Sequence, residues 1–214
     1  IEHLGDKAVE IDCTFGAEDG PEGMKAALDR IRSHAEQAVR GGCEHVMLTD
    51  RNSSKERVPL PMVLATGAVH SHLVRQQLRT FTSVNVASGE CLDVHHFAVL
   101  IGVGATTVNA YVAEAAIAER HGRGLLAGLE LADAVANFVK AVEEGLLKIM
   151  SKMGISIIAS YRGGYNFEAL GLSRSLVAEY FPPMSSRISG LGLKGIATRV
   201  ISMHDKAFAS ETVH

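Results

Sequence analysis

Short apolar runs rich in β-favouring residues alternate along this chain with longer stretches whose apolar side chains return every three or four positions. Residues 8–13 alternate with a period of two and read as a strand. Gly20-Pro21-Glu22 opens a helix with proline near its first turn. Met24, Leu28, Ile31, Ala35 and Val39 share one face, and Gly41-Gly42 ends it. Residues 45–48 predict a second strand, residues 49–57 a polar loop, and Pro59 and Pro61 the start of a helix with Met62, Ala65, Val69, Leu73 and Gln76 on one face. A third strand is expected over 83–86, a helix over 93–101, a brief strand over 106–108 and a helix over 112–119. The longest helical stretch carries Val135, Phe138, Val139, Val142, Leu146, Ile149 and Met153 in register; Gly145 inside it marks a break or a close contact, and Gly154 stops it. A fifth strand is expected over 155–160, then short helical turns and loops, and a last helix over 195–209. Strands alternating with helices predict an α/β fold with a parallel sheet, as an open sheet or an incomplete, TIM-barrel-like one; five units are too few for eight.

Composition narrows the functional classes. Lys plus Arg number 21 against 24 Asp plus Glu, a net charge of −3, which argues against a nucleic-acid binder with its clustered basic excess. Aromatic residues are only 5%, too few for stacking platforms along a single strand. The longest apolar run, residues 97–103, is broken by Gly102 and too short to span a membrane. Cys13, Cys43 and Cys91 are odd in number and far apart, so neither a disulfide framework nor an iron–sulfur cluster follows, and a reducing, cytoplasmic setting is expected. Ile1-Glu2-His3 has no initiator Met and no leader pattern, so the chain is expected to be part of something larger.

Candidate chemistry meets a plainer reading at each place. His95-His96 and His70-Ser71-His72 suggest metal ligands, but neighbours one or two apart on a helix face different ways, and packing histidines are expected. Gly190-Leu191-Gly192-Leu193-Lys194-Gly195 spells a dinucleotide-binding string, yet the residues before it do not predict the strand that the motif needs, so a turn into the last helix is expected. Ser160-Tyr161-Arg162-Gly163-Gly164 is more informative. Following an expected strand, it is placed at the C-terminal sheet edge where ligand loops gather, with Arg162 holding an anion or seating another chain segment. Lys148 and Lys152, four apart on the preceding helix, form a second cationic pair; the alternative is a solvated helix end favoured by the helix dipole.

The run Gly145-Leu146-Leu147-Lys148-Ile149-Met150-Ser151-Lys152-Met153-Gly154-Ile155-Ser156 resembles the large chain of the glutamate synthase family. Ser160-Tyr161-Arg162-Gly163-Gly164, Phe167-Glu168-Ala169-Leu170-Gly171-Leu172 and Ser186-Arg187-Ile188-Ser189-Gly190-Leu191-Gly192-Leu193 continue it in order. Upstream, Ala87-Ser88-Gly89-Glu90, Val94-His95-His96-Phe97-Ala98 and Gly104-Ala105 are similar too, so most of the chain is covered. Family members often carry Tyr where Val103 stands and Pro where Ala110 stands, local departures that touch no catalytic group.

The resemblance implies the later part of a central domain resembling a rudimentary FMN barrel. Residues 1–164 would be its α/β segment, and residues 165–214 a loop and helical extension leading toward an FMN-binding domain. In the parent, an amidotransferase domain releases ammonia from glutamine. The ammonia passes internally to the FMN-binding barrel, where it is condensed with 2-oxoglutarate and reduced to glutamate, with an iron–sulfur cluster relaying electrons. The implied partners are these neighbouring domains and, as electron source, a small subunit or ferredoxin, with no nucleic acid and no membrane. No catalytic, cofactor-binding or metal-binding residue carries over to this segment. Lys148, Lys152, Ser160, Tyr161, Arg162, Gly163 and Gly164 remain as interface or anion-contact candidates, and the segment alone is expected to be inactive. The alternatives are a stand-alone flavin- or phosphate-binding barrel-like enzyme and a ligand-free interaction module.

Overall fold

Residues 7–126 and 128–209 are described by the computed structural model; Ile1, Glu2 and His3 lie outside them. The chain runs β1 (Ala8–Asp12), β2 (Thr14–Gly16), α1 (Gly20–Arg40), β3 (His45–Thr49), β4 (Arg57–Pro59), α2 (Met62–Arg75), β5 (Ser83–Ala87), α3 (Val94–Gly102), β6 (Thr107–Asn109), α4 (Tyr111–Gly122) and α5 (Leu131–Lys152). Strands β1, β3, β5 and β6 form one parallel sheet in that order. Ile11 stands beside Leu48, and Leu48 beside Val86, all three buried. Parallel neighbours need crossovers, which α1, α2 and α3 supply. The strand order never reverses, so the sheet lacks the switch-point crevice of doubly wound folds.

Local chemistry explains the helices. Met24, Leu28, Ile31, Ala35 and Val39 of α1 are buried on one face, with Pro21 in the first turn and Gly41 after the last. Asp93 starts α3 with a capping box, accepting from the His95 and His96 amides, while His96 Nδ1 accepts from the Leu92 and Asp93 amides. Gly145 is a close contact rather than a break: α5 continues through it, and a Cβ there would stand 2.6 Å from both Val94 methyls.

The last part of the chain departs from its sequence reading. Residues 155–157 form no strand, and α6 (Ile158–Tyr161) replaces the rest of the expected one. The isoleucines there favour β-structure only when a pleated partner surface is present, and Ile157 and Ile158 are exposed. Beyond Arg162, where loops and helices were expected, β7 (Glu168–Leu172) pairs in parallel with β8 (Ser185–Leu191) across α7 (Arg174–Tyr180), and α8 (Leu193–Phe208) follows. β8 is mostly polar and exposed, so no apolar alternation announces it. Arg32 of α1 anchors this part, bonding Glu179 Oε1 at 2.7 Å and lying 4.5 Å from the Tyr180 ring centroid.

One polar network secures the sheet's N-terminal edge. Arg79 donates from Nε to His70 Nδ1 at 3.0 Å, from Nη1 to the Thr82 carbonyl at 2.6 Å, and from Nη2 to the Gly104 carbonyl at 2.9 Å. It thereby ties α2 to the approaches to β5 and β6. Burial, with Arg79 and Arg162 adding to it, holds the His70 imidazole down at about 4.

Two outcomes follow from this packing. Alanine in place of glycine normally favours a helix, but Gly145→Ala is expected to lower unfolding free energy by about 1–3 kcal/mol because Val94 cannot move aside, checked by urea denaturation. Between pH 6.5 and 4 the unfolded chain holds the His70 proton and the folded chain does not, so stability falls as pH drops through that window, by about 3 kcal/mol at its lower end. Denaturation at several pH values should show this slope in the wild type and its loss in His70→Asn.

Candidate functional site

The two edges of the parallel sheet carry different chemistry. At the N-terminal edge, where β3, β5 and β6 begin, a cavity of about 680 Å³ is lined by residues including Glu44, His45, His70, Arg79, Ser83 and Arg162. The run chosen from sequence reaches this cavity through Arg162, and so lies at the edge opposite to the one expected. It begins within α6 rather than after a strand, which removes the reason for placing it at the C-terminal edge. Tyr161 is fully buried, and its hydroxyl donates to the Ala98 carbonyl at 3.1 Å. The Gly163 amide donates to the Ile101 carbonyl at 3.0 Å, and the Gly164 amide to the Tyr161 carbonyl at 3.0 Å. Ser160 is exposed. Lys148 and Lys152 are exposed on α5 and are not among the cavity's lining residues.

At the C-terminal edge, where α/β folds usually hold ligands, the strand ends are bonded to one another. Asp50, directly after β3, is 3% exposed. Its carboxylate accepts from the Gly89 amide at 2.8 Å and from the Tyr111 hydroxyl at 2.9 Å, joining the loops after β5 and β6. Burial pushes its pKa up, opposed by the Gly89 and Tyr111 hydrogen bonds. Tyr111 is pushed up to about 12, by burial and then by Asp50. Arg51 lies 4.2 Å from the Tyr111 ring centroid and donates to Asn109 Oδ1 at 2.8 Å. Asp12 accepts from Arg57 Nη2 at 2.8 Å, and Glu90 Oε2 accepts from the Met62 amide at the start of α2 at 2.9 Å. Sequence reasoning missed all of these; the available signal was a polar residue directly after an apolar strand.

The remaining motifs have structural partners. His72 meets Glu36 Oε2 at 2.7 Å, His70 accepts from Arg79, and His96 caps α3. β8 does run into α8 with Gly192 as N-cap, so the strand–turn–helix order missing from the sequence reading is present. A Cβ at Gly190, however, would fall 2.2 Å from the Gly171 carbonyl oxygen, so this glycine serves the approach of β8 to β7.

The described residues do not fit the cofactors that the family resemblance implies for the parent. Cys13, Cys43 and Cys91 are buried, and burial pushes the Cys13 and Cys91 thiols up to about 12, far from the thiolates an iron–sulfur cluster needs. No group of three His, Cys, Asp or Glu able to hold a metal occurs among the described residues. A flavin phosphate would need free donors at strand ends, and the strand-end amides and carboxylates described above bond to one another. No described helix is long and apolar enough to cross a membrane.

Comparison with known proteins fits this picture. The family model described as the glutamate synthase central domain matches residues 1–173. The chain is 60% identical over 212 residues to a glutamate synthase [NADPH] large chain of Azospirillum brasilense, covering 99% of this chain and 14% of that one. It is 38% identical over 211 residues to the corresponding large chain of Bacillus subtilis, with the same coverage. A ferredoxin-dependent glutamate synthase of Pyropia yezoensis is 39% identical over 215 residues, covering 94% of this chain and 14% of that one. The chain thus spans about a seventh of the length of these relatives. With a family model matched over most of its length and a parallel sheet of alternating strands and helices beneath it, the chain belongs to the glutamate synthase central domain family.

Proposed function

We propose that this chain is the central scaffold of a glutamate synthase large chain. It holds a glutaminase unit and an FMN-binding synthase unit in place, so that ammonia from glutamine reaches 2-oxoglutarate and is reduced with it to glutamate. The observation that carries this reading is the family match over residues 1–173 in a chain that spans only 14% of its relatives. FMN, the iron–sulfur cluster and the contact with a small subunit or ferredoxin are assigned to other parts of the parent, in the cytoplasm.

Three features of the fold support a holding role. The C-terminal strand ends are spent on mutual hydrogen bonds, which stiffens the edge of the sheet. The sequential order of four parallel strands suits an arc of a rudimentary barrel. Large apolar side chains also face outward, including Leu147 on α5 and the cross-strand pair Leu170 and Ile188 at 64% and 62% exposure. Such surface is normally covered by a neighbour. The exposed Lys148 and Lys152 on α5, with Ser160, belong to the same proposed interface, while Tyr161, Gly163 and Gly164 are bonded within the fold and Arg162 faces the cavity.

The direct test adds glutamine, 2-oxoglutarate and a reductant to the chain alone; no glutamate is expected, and turnover would overturn the reading. FMN is also expected to give no thermal stabilisation, although a ligand at a hundred times its dissociation constant would contribute about 2.7 kcal/mol. Replacing both Leu170 and Ile188 by Lys should suppress self-association, measured by analytical ultracentrifugation, while changing unfolding free energy by no more than about 0.5 kcal/mol per site.

A further inference from the structure

The cavity at the N-terminal edge of the sheet has a charge balance that the scaffold role does not explain. Ion pairs among the described residues join Arg32 and Arg75 to Glu179, Arg40 to Glu36 and Arg57 to Asp12, whereas Arg79 and Arg162, like Arg30, Arg51, Arg120, Arg174 and Arg199, have no carboxylate partner among those residues; of these, Arg79 and Arg162 line one cavity together. Glu44, the one acid among the described residues lining the cavity, is matched by Lys7 at 2.5 Å. Arg79 is fixed by the bonds to His70, Thr82 and Gly104, all to neutral acceptors, so no described carboxylate offsets its positive charge. His70 Nδ1 accepts the hydrogen bond from Arg79 Nε, which leaves Nε2 as the ring's donor nitrogen. Ser83 Oγ, at the start of β5, bonds His45 Nδ1 and the Asn85 amide, each at 2.8 Å. The result is a hollow open to solvent, lined by two guanidinium groups, donor nitrogens and a hydroxyl. Its 680 Å³ falls in the range of small-molecule sites.

From this geometry we infer that the cavity is an oxyanion site, in which Arg162 engages the carboxylate or phosphoryl group of a small molecule while Arg79 holds the positive field behind it. A guanidinium offers paired donors matched to either group, and Arg162 is the exposed member of the pair. The site lies at the edge opposite the Asp50 cluster, so it is separate from the strand-end ties described above.

The test is anion protection of Arg162 from phenylglyoxal, a guanidinium-directed reagent, in the full chain, followed by peptide mass spectrometry. Inorganic phosphate and succinate are titrated separately at constant ionic strength. One or both should slow Arg162 modification at least five-fold and saturably, leaving the exposed Arg120 and Arg199 unaffected. Phosphate alone would identify a phosphoryl group, and succinate alone a carboxylate. Arg79→Gln should raise the half-protecting concentration at least ten-fold; if that variant does not fold, the wild-type protection still decides. Equal slowing at all three arginines, no slowing, or an Arg162 already unreactive without added anion because a neighbouring segment covers it would each overturn the proposal.

Discussion

A carboxylate buried at the end of a parallel strand must be satisfied by groups the fold brings to it, and Asp50 is satisfied by the loops after the next two strands. The Gly89 amide and the Tyr111 hydroxyl arrive from 39 and 61 residues away. A buried carboxylate stripped of such partners costs several kcal/mol, while each hydrogen bond to a charged group returns about 1.5–3 kcal/mol. This one group therefore reinforces, at the C-terminal ends of β3, β5 and β6, the spacing that the backbone ladders set. Arg51, laid over Tyr111 and bonded to Asn109, closes the same cluster from outside.

Arg79 does the corresponding work at the opposite edge, by a different route. It spreads one guanidinium over His70 and two backbone carbonyls, and leaves its charge unanswered by any described carboxylate. One edge is thus closed by an anion with its donors in place, and the other carries cations open to a cavity. A sheet held at both ends by side-chain networks supports the proposed holding role, and the outward-facing Leu147, Leu170 and Ile188 are the apolar surface proposed for its neighbours.

What the sequence revealed depended on how local the causes were. The first four parallel strands and α1 through α5 could be read because apolar periodicity, Pro21, Gly41 and the Asp93 cap act within a few residues. Residues 155–160 misled because isoleucine-rich segments become strands only beside a partner. β7 and β8 were hidden because their pairing, not their composition, makes them strands. That first error moved Arg162 to the wrong edge, since its place was argued from a strand that does not form. Asp50 with Tyr111 and Arg79 with Gly104 are tertiary meetings across long separations, which no spacing rule in a single sequence encodes.

The central claim, that Asp50 is a structural tie between strand ends, is tested most directly by a double-mutant cycle of unfolding free energy on Asp50→Asn and Tyr111→Phe. The account predicts a favourable coupling of about 1–3 kcal/mol, because the hydroxyl stabilises the carboxylate and either substitution removes that charge-assisted bond. A coupling near zero, with Asp50→Asn as stable as the wild type, would contradict it.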